Sequence, residues 1–213
     1  MLDIDVIGTV HENLRKGRID REQKRIAKVV NSVQTDPYRY KWTLNQGNFC
    51  NAYYSDLKYL IVVHSATGHF DRRRMLRRIY GLHFYETHRC AILFVLGQPT
   101  EKSVQKRIHK EAYQYKDIIQ QDFVDSYRNL TWKALAWLRF VDERCKRVKF
   151  IIKIDDDVIF NIFTVIDFLK SIESTQKDEV EPRIICRVIR NRKIGRKRGN
   201  KWCSIGYSLL CSS

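Results

Sequence analysis

Residues 150–160 read FIIKIDDDVIF, in which an apolar run of strand length leads into three consecutive aspartates. Clustered carboxylates repel one another and are costly to bury, so a buried strand that ends this way usually holds a divalent cation through carboxylate oxygens. Because side chains alternate faces along a strand, we expect Asp155 and Asp157 on one face and Asp156 on the other. The alternative is an acidic turn that caps a helix starting near Asn161.

Two further apolar runs precede this one, and helical patterns lie between the runs. Residues 59–64 (YLIVVH) and 91–96 (AILFVL) are apolar enough for strands that are buried on both faces. Four helices are predicted between and after these runs. The first is short, capped by Asp71 and closed by Gly81, and the second begins at about Thr100. The third has its apolar face at Leu130, Ala134, Trp137, Leu138 and Val141, and the fourth is capped by Asn161 and has its apolar face at Ile162, Phe163, Val165, Ile166 and Leu169. Alternating strands and helices predict an α/β fold with a mostly parallel sheet flanked by helices.

In a sheet of this kind, ligands bind beyond the carboxyl ends of the strands. The first run leads to His64 and Ser65 and then to the arginines at 72–74, whereas the third leads to the aspartates. We therefore expect cations and carboxylates along one edge. That arrangement would hold a diphosphate whose charge is shared between a metal ion and arginines.

The 213 residues carry a formal net charge of +16, which favours a polyanionic partner such as nucleic acid, an anionic surface or nucleotide phosphates. Much of the excess lies in a basic segment at 183–201. This segment lacks the features of a specific nucleic-acid module, and we interpret it as a solvated loop or tail. The six cysteines form no CxxC pair, which argues against zinc and leaves disulfides open.

The pattern of alternating strands and helices begins at Tyr59. We expect a helical, stem-like segment at 1–56, followed by one domain at 57–213. No apolar stretch of about 18 residues occurs, and the first ten residues do not resemble a signal peptide. The sequence alone therefore predicts neither a membrane anchor nor an export signal.

Three segments occur in a specific order within the second region. Residues 73–81 read RRMLRRIYG, residues 117–133 read DIIQQDFVDSYRNLTWK and residues 153–161 read KIDDDVIFN. This order resembles the β1,3-glycosyltransferase family 31, which includes β1,3-galactosyltransferases and β1,3-N-acetylglucosaminyltransferases. The second segment is the most specific, and the resemblance extends over residues 57–169 and the pair at 201–202.

The resemblance implies a GT-A fold with a Rossmann-like nucleotide-sugar domain. It implies an enzyme that transfers a hexose, either galactose or an N-acetylhexosamine, from a UDP-sugar to a glycan acceptor in β1,3 linkage with inversion. The implied cofactor is Mn²⁺ at the D-x-D motif, and the implied location is the Golgi lumen or membrane. The implied partners are the UDP-sugar and a glycan on a glycoprotein or glycolipid, and no specific nucleic acid is expected.

The resemblance also implies roles for individual residues. The donor-binding residues would be Arg73, Arg77, Lys133, Asp155 and Asp156, and the metal ligands would be Asp157 and Asp155. As alternatives, Arg73 and Arg77 would be exposed helix arginines, and Lys133 would be a solvated or snorkelling residue. Asp122 and Asp125 are interpreted as turn and cap residues rather than catalysts.

Inverting transfer needs a general base, and the sequence does not supply the family's usual one. In the family this carboxylate lies near an E-D-V-type motif after the aspartates, and no such motif occurs here, so the catalytic residue is unknown. Residues 203–210 (CSIGYSLL) instead resemble a later family segment, C-S-G-x-G-Y-x-L-S. We therefore expect the donor half of the domain with most of the acceptor half missing. The alternatives are a catalytically inactive, UDP-binding remnant and a basic nucleic-acid-binding protein.

Overall fold

The computed structural model describes residue 36 and residues 38–175 and 184–186. The strands in this part are β1 (Trp42–Leu44), β2 (Tyr59–His64), β3 (Cys90–Gln98), β4 (Ile118–Val124) and β5 (Phe150–Asp155). The α-helices are α1 (Phe70–Tyr80), α2 (Leu82–His88), α3 (Lys102–Tyr115), α4 (Leu130–Arg144) and α5 (Ile162–Thr175). A π-helical turn at Phe49–Tyr53 and a 3-10 turn at Tyr127–Asn129 complete the elements. The predicted N-terminal helix and most of the basic segment at 183–201 lie outside the described residues.

The described strands form a single sheet in the order β1-β4-β3-β2-β5. Strands β4, β3, β2 and β5 are parallel, and only the short β1 pairs antiparallel, with β4. His64 pairs with Val95 on one side and with Asp155 on the other, so the ends of β2 and β5 lie level at the same edge. The predicted α/β fold with a mostly parallel sheet is confirmed.

Helices cover both faces of the sheet, and β2 lies between β3 and β5. Tyr59, Ile61 and Val63 pack on one face with α1, α2, α3 and α5, and Leu60 and Val62 pack on the other with α4 and the π-helical turn. All five side chains are buried. The prediction of a strand buried on both faces is therefore correct for β2.

The prediction of a buried strand is wrong for β5. Ile151, Lys153 and Asp155 are exposed, and they lie on the same face as α4, whereas Ile154 is buried on the other face. Helix α4 contacts β3 and β4, whereas β5 is an edge strand of the described sheet and lies beyond β2. The aspartates therefore follow a half-exposed strand.

The buried stripe of α4 also differs from the predicted one. Lys133, Ala136 and Phe140 are buried, whereas Leu138 is exposed. Because Lys133 is anchored beneath the helix, α4 is rotated away from the apolar stripe that its periodicity predicts. The predicted helix α4 is therefore confirmed, but the prediction of which of its residues face the core is wrong.

The ends of two other helices test the predicted caps. The Asn161 side chain accepts hydrogen bonds from the N–H groups of Phe163 and Thr164, which confirms it as the cap of α5. Phe163 itself is exposed, contrary to the predicted apolar face. Asp71 lies within the first turn of α1 rather than capping it, because the helix begins one residue earlier, at Phe70.

The predicted boundary at residue 57 divides elements that pack together. Strand β1 pairs with β4, and Phe49 is fully buried in the core beneath α4. A disulfide joins Cys50 to Cys145 at the end of α4, across 95 residues of sequence, with the two Cα atoms 5.2 Å apart. The described residues from Trp42 onward therefore belong to the sheet and its core.

Candidate functional site

The carboxyl ends of β2, β3, β4 and β5 meet at one edge, which we call the strand-end edge. It comprises residues 64–66, 97–98, 124–125 and 155–157. Gly97 lies here because a Cβ atom at this position would be only 2.7 Å from the Phe123 carbonyl oxygen and closer still to its ring. The close approach of β3 to β4 therefore requires glycine.

Asp156 is buried at the strand-end edge and is held by four partners. Ser65 Oγ lies 2.7 Å away, the Ala66 N–H 3.2 Å, His69 Nδ1 2.7 Å and Arg72 Nη1 3.0 Å. Burial raises the pKa of this carboxyl, but the hydrogen bonds from Ser65, His69 and Arg72 outweigh burial and hold the pKa below its ordinary value. Asp156 is therefore an ionised group that fixes the loop after β2, and its predicted contact with the donor remains a prediction.

Asp155 and Asp157 are exposed, with 57% and 65% of their side-chain surfaces accessible. This agrees with the alternation expected from the sequence. Asp155 lies 2.6 Å from Lys153 Nζ, and Asp157 lies 3.7 Å from Arg72 Nη1. Exposed ion pairs of this kind contribute about 0–1 kcal/mol, so both carboxylates remain available to a ligand.

Arg73 has no free hydrogen-bond donor, and its side chain is 0% exposed. Its Nε and Nη2 atoms donate to the Glu111 carboxylate, at 2.8–3.2 Å. Nη1 donates to Ser65 Oγ and to the Ala66 carbonyl, and Nη2 also donates to the Thr67 carbonyl. The exposed-arginine alternative is wrong for Arg73, and a direct contact with a nucleotide would require one of these bonds to open.

Arg77 lies one turn further along α1, and only 10% of its side-chain surface is exposed. It donates to Glu111 at 2.7 Å and to both Asp117 oxygens at 2.7 and 2.8 Å. Burial lowers the pKa of Arg77, but Asp117 and Glu111 raise it above its ordinary value. Burial raises the pKa of Glu111, but Arg73 and Arg77 hold it below its ordinary value. These four residues form a buried ionic cluster, so the exposed-arginine alternative is wrong here too, and the donor role of Arg77 remains a prediction.

Lys133 ties α4 to the strand-end edge from the other face of the sheet. Its side chain is 3% exposed, and its Nζ donates to the Ser65 carbonyl at 2.8 Å and to Asp125 at 2.8 and 3.1 Å. Asp125 in turn accepts the Gly97 N–H at 2.9 Å. The solvated interpretation of Lys133 is therefore wrong, and the Asp125 carboxylate bonds to Gly97 of β3 and to Lys133 of α4 instead of capping a helix. Asp122 lies in β4 and accepts a backbone N–H from the residue before β1.

The arginines at 72–74 were expected at this edge, but neither Arg72 nor His69 was predicted as a donor-binding residue. The Arg72 side chain is 44% exposed and lies between Asp156 and Asp157. The helix periodicity could have identified Arg72. Because Arg73 shares a helix face with the buried Leu76, the residue before it, Arg72, lies on a different face and points away from the core.

His64 ends β2 at the same edge, next to Asp155 in the sheet register. Burial, together with the charges of Lys153 and Lys133, lowers its pKa to about 3, so the imidazole is neutral. Its Nε2 atom is buried without a hydrogen-bond partner among the described residues.

Within residues 38–175 and the other described positions, no group of three or more His, Cys, Asp or Glu side chains could hold a metal ion. The strand-end edge therefore offers the exposed pair Asp155 and Asp157 to a cation, rather than a complete set of protein ligands. None of the described helices has the length and apolar character needed to cross a bilayer.

Comparisons with known proteins agree with this geometry. The sequence model of the family described as Galactosyltransferase matches residues 71–213. The human protein named "Lactosylceramide 1,3-N-acetyl-beta-D-glucosaminyltransferase" is 34% identical over 142 residues, which cover 63% of this chain and 37% of that protein. The human "Beta-1,3-galactosyltransferase 1" is 30% identical over 133 residues, which cover 62% of this chain and 40% of that protein.

The chain thus spans about two fifths of the length of the curated relatives that it matches. The relatives are named as β1,3-glycosyltransferases, which confirms the resemblance predicted from the motifs. The helix-flanked, mostly parallel sheet is consistent with a GT-A type domain. The match over residues 71–213 covers more than half of the chain, and the chain belongs to the galactosyltransferase family.

Proposed function

We propose that this chain binds a UDP-sugar and belongs to an enzyme that transfers the hexose to a glycan acceptor in β1,3 linkage. The observation that carries the proposal is the placement of Asp155, Asp157 and Arg72 at the carboxyl edge of a parallel sheet. The two carboxylates and the guanidinium are exposed at the edge where such folds bind nucleotides. The names of the relatives support the reaction class.

The exposed aspartates fit a divalent cation, which we propose to be Mn²⁺ with Asp157 as its principal protein ligand and Asp155 as the second. Hard divalent cations at phosphate sites are commonly held by one or two carboxylates, with phosphate oxygens and water as the other ligands. When bound, the cation would stabilise the negative charge that develops on the departing UDP. The pair of carboxylates agrees with this kind of site better than with a cage built by the protein alone.

Arg72 is the arginine that we assign to the diphosphate. One of its terminal nitrogens, Nη1, is bound to Asp156 at 3.0 Å, which orients the guanidinium along the strand-end edge. No hydrogen bond to a described residue occupies Nε or Nη2. A guanidinium presents its donors in a planar fork that matches two phosphate oxygens, so the remaining donors suit this ligand.

The other predicted donor residues would act on the nucleotide indirectly. Asp156 and Lys133 both bond to Ser65, and Arg73 bonds to the same serine from beneath. The loop that follows β2 is therefore fixed from three directions before any ligand binds. We propose that Arg73, Lys133 and Asp156 keep this loop in place, since a preorganised site loses less entropy on binding. Arg77 would support Arg73 through their shared partner, Glu111.

A separate observation supports a proposal for the compartment. Disulfides persist in oxidising compartments and are rare in the cytosol, and this fold contains the bond between Cys50 and Cys145. We propose a Golgi lumenal location, with a glycan on a glycoprotein or glycolipid as the acceptor.

Calorimetric titration of the full chain with UDP, with and without Mn²⁺, tests the proposal. UDP should bind only with Mn²⁺, and Asp157→Asn should weaken binding by about a hundredfold or more, because removing one partner of a charged contact costs about 3 kcal/mol. Asp167→Asn is the matched control, because Asp167 is an exposed aspartate on α5. Equal UDP affinity with and without metal, or in the Asp157 variant, would contradict the proposal.

A transfer assay separates an active transferase from a UDP-binding remnant. The full chain would be incubated with UDP-galactose or UDP-N-acetylglucosamine and with a β-galactoside or an N-acetylhexosamine as acceptor. A β1,3-linked product supports the enzyme. UDP binding without any product supports the inactive remnant.

A further inference from the structure

Helix α3 carries a row of lysines on its outer face. Lys102, Lys106 and Lys110 are exposed, and their spacing of four residues places them one above another. Ile108 and Ala112 lie on the opposite side of the helix and are buried against the sheet. At about 1.5 Å of rise per residue, the three ammonium groups extend over about 12 Å of surface.

This row destabilises the helix. Like charges at a spacing of four residues repel, and a cation at Lys102, the first residue of α3, also faces the positive end of the helix dipole. The only carboxylate within α3 is Glu111, which turns inward to Arg73 and Arg77 and cannot neutralise the outer face. No carboxylate among the residues that the structure describes pairs with the three lysines. A solvated helix surface usually mixes charges of both signs, whereas this one is cationic throughout.

Two further cations and an aromatic ring extend the row. Arg107 is exposed, and its guanidinium lies 4.0 Å from the centre of the Phe70 ring. Lys116 Nζ lies 4.0 Å from the centre of the Tyr113 ring, and this tyrosine is 78% exposed. We call Lys102, Lys106, Arg107, Lys110, Tyr113 and Lys116 the α3 basic face. Its tyrosine offers a flat, amphipathic surface beside the cations, which suits a sugar ring that carries anionic groups.

The disulfide narrows the choice of polyanion. A fold that contains the bond between Cys50 and Cys145 is suited to an oxidising compartment, where sulfated polysaccharides occur and nucleic acids do not. We propose that the α3 basic face binds a sulfated polysaccharide chain. None of its residues belongs to the candidate donor site, so this surface does not rest on the proposed function.

Binding of the full chain to immobilised heparin, measured over a series of salt concentrations, tests this surface. The variant Lys106→Gln/Lys110→Gln should bind about tenfold more weakly at about 0.15 M salt, and its logarithmic salt dependence should decrease by about two, as expected for two lost ionic contacts. The matched control is Lys146→Gln/Arg147→Gln, which removes two exposed charges from the loop that precedes β5. The control should stay within about twofold of the unmodified chain.

The folded state of the variants can be checked independently. Because Lys106→Gln/Lys110→Gln removes repulsion from an exposed face, its urea midpoint should be equal to or slightly above that of the unmodified chain. The basic segment at 183–201 is present in every variant, so differences in heparin binding report the helix. Lys106→Arg/Lys110→Arg, which keeps the charge, should bind heparin normally.

Three results would overturn the proposal. One is equal weakening by the control variant, which would mean that total charge alone determines heparin binding. Another is heparin binding by Lys106→Gln/Lys110→Gln that is as strong as that of the unmodified chain. The third is tighter binding to single-stranded RNA of matched charge, weakened by the same helix variant, which would identify the surface as a nucleic-acid interface.

Discussion

Arg72 and Arg73 are adjacent on α1, and their surroundings are opposite. Arg72 is 44% exposed and lies between two aspartates at the strand-end edge. Arg73 is 0% exposed, and all its donors are bound within the protein. A rotation of about 100° around the helix separates the two side chains, so the helix phase alone directs Arg72 to the strand-end edge and Arg73 to the core.

The same contrast distinguishes the buried ionic cluster from the exposed aspartates. Within the cluster, each charge has a partner at 2.7–2.8 Å, and losing one partner leaves an uncompensated charge in the core. At the strand-end edge, Asp155 and Asp157 make only exposed ion pairs, which contribute little to stability. Charged residues of the same type therefore stabilise the fold in one place and remain available for binding in the other.

The largest expected effect is on the stability that the buried ionic cluster provides. Glu111→Gln should lower the free energy of unfolding by about 3–5 kcal/mol, because Arg73 and Arg77 both lose a buried carboxylate. Urea denaturation at neutral pH measures this. Glu101→Gln is the matched control: it makes the same change at an exposed residue just before α3 and should cost less than about 0.5 kcal/mol. Equal stability of the two variants would remove the distinction between the two regions.

The second largest expected effect is on ligand binding by the exposed residues of the strand-end edge. Arg72→Gln should weaken the binding of UDP with Mn²⁺ by about tenfold, since a charged hydrogen bond contributes about 1.5–3 kcal/mol. The free energy of unfolding should change by less than about 1 kcal/mol. Titration calorimetry and urea denaturation of the same sample measure both quantities. Arg74→Gln, at a neighbouring exposed arginine, should leave UDP binding unchanged. Equal weakening by both variants would mean that the helix acts only through its overall charge.

The smallest effect is a dependence of stability on pH. The pKa of Glu111 is held below its ordinary value of 4.5, so ionised Glu111 stabilises the fold above that pH, and this contribution is lost as pH falls through the folded-state pKa. The unmodified chain should therefore lose more stability below pH 4.5 than Glu111→Gln does. Urea midpoints of both chains, measured from neutral to acidic pH, test this difference. Parallel pH profiles would show that Glu111 is not the group responsible.

The sequence was sufficient for the mostly parallel α/β class and for β2, β3 and β5, whereas β1 and β4 were not among the predicted strands. Uninterrupted apolar runs identified β2 and β3, and the third run placed the three aspartates at the strand-end edge, where their contact with a ligand remains a prediction. The sequence did not predict which face of β5 is covered by helices. The elements that pack on β5 depend on the order of the strands in the sheet, which no local sequence pattern encodes. Strand order leaves Ile151 and Lys153 outside the face that α4 covers.

The candidate site was predicted less completely for a similar reason. Lys133 interrupts the apolar pattern of α4, and its burial becomes favourable only when the fold brings Asp125 and the Ser65 carbonyl within 2.8 Å. The apolar pattern alone therefore gave the wrong helix phase. For Arg73 the phase was readable from Leu76 and Tyr80, but its bonds to Glu111 and to the loop after β2 were not.

The disulfide between Cys50 and Cys145 closes a covalent ring that contains β2, β3, β4 and the helices between them, and β5 lies outside this ring. A protease that cuts one exposed connection inside the ring would leave the two pieces joined through sulfur. The pieces would migrate as one band on a denaturing gel and separate only after reduction. A single cut in the loop after β2 would therefore damage the proposed donor site without releasing any part of it.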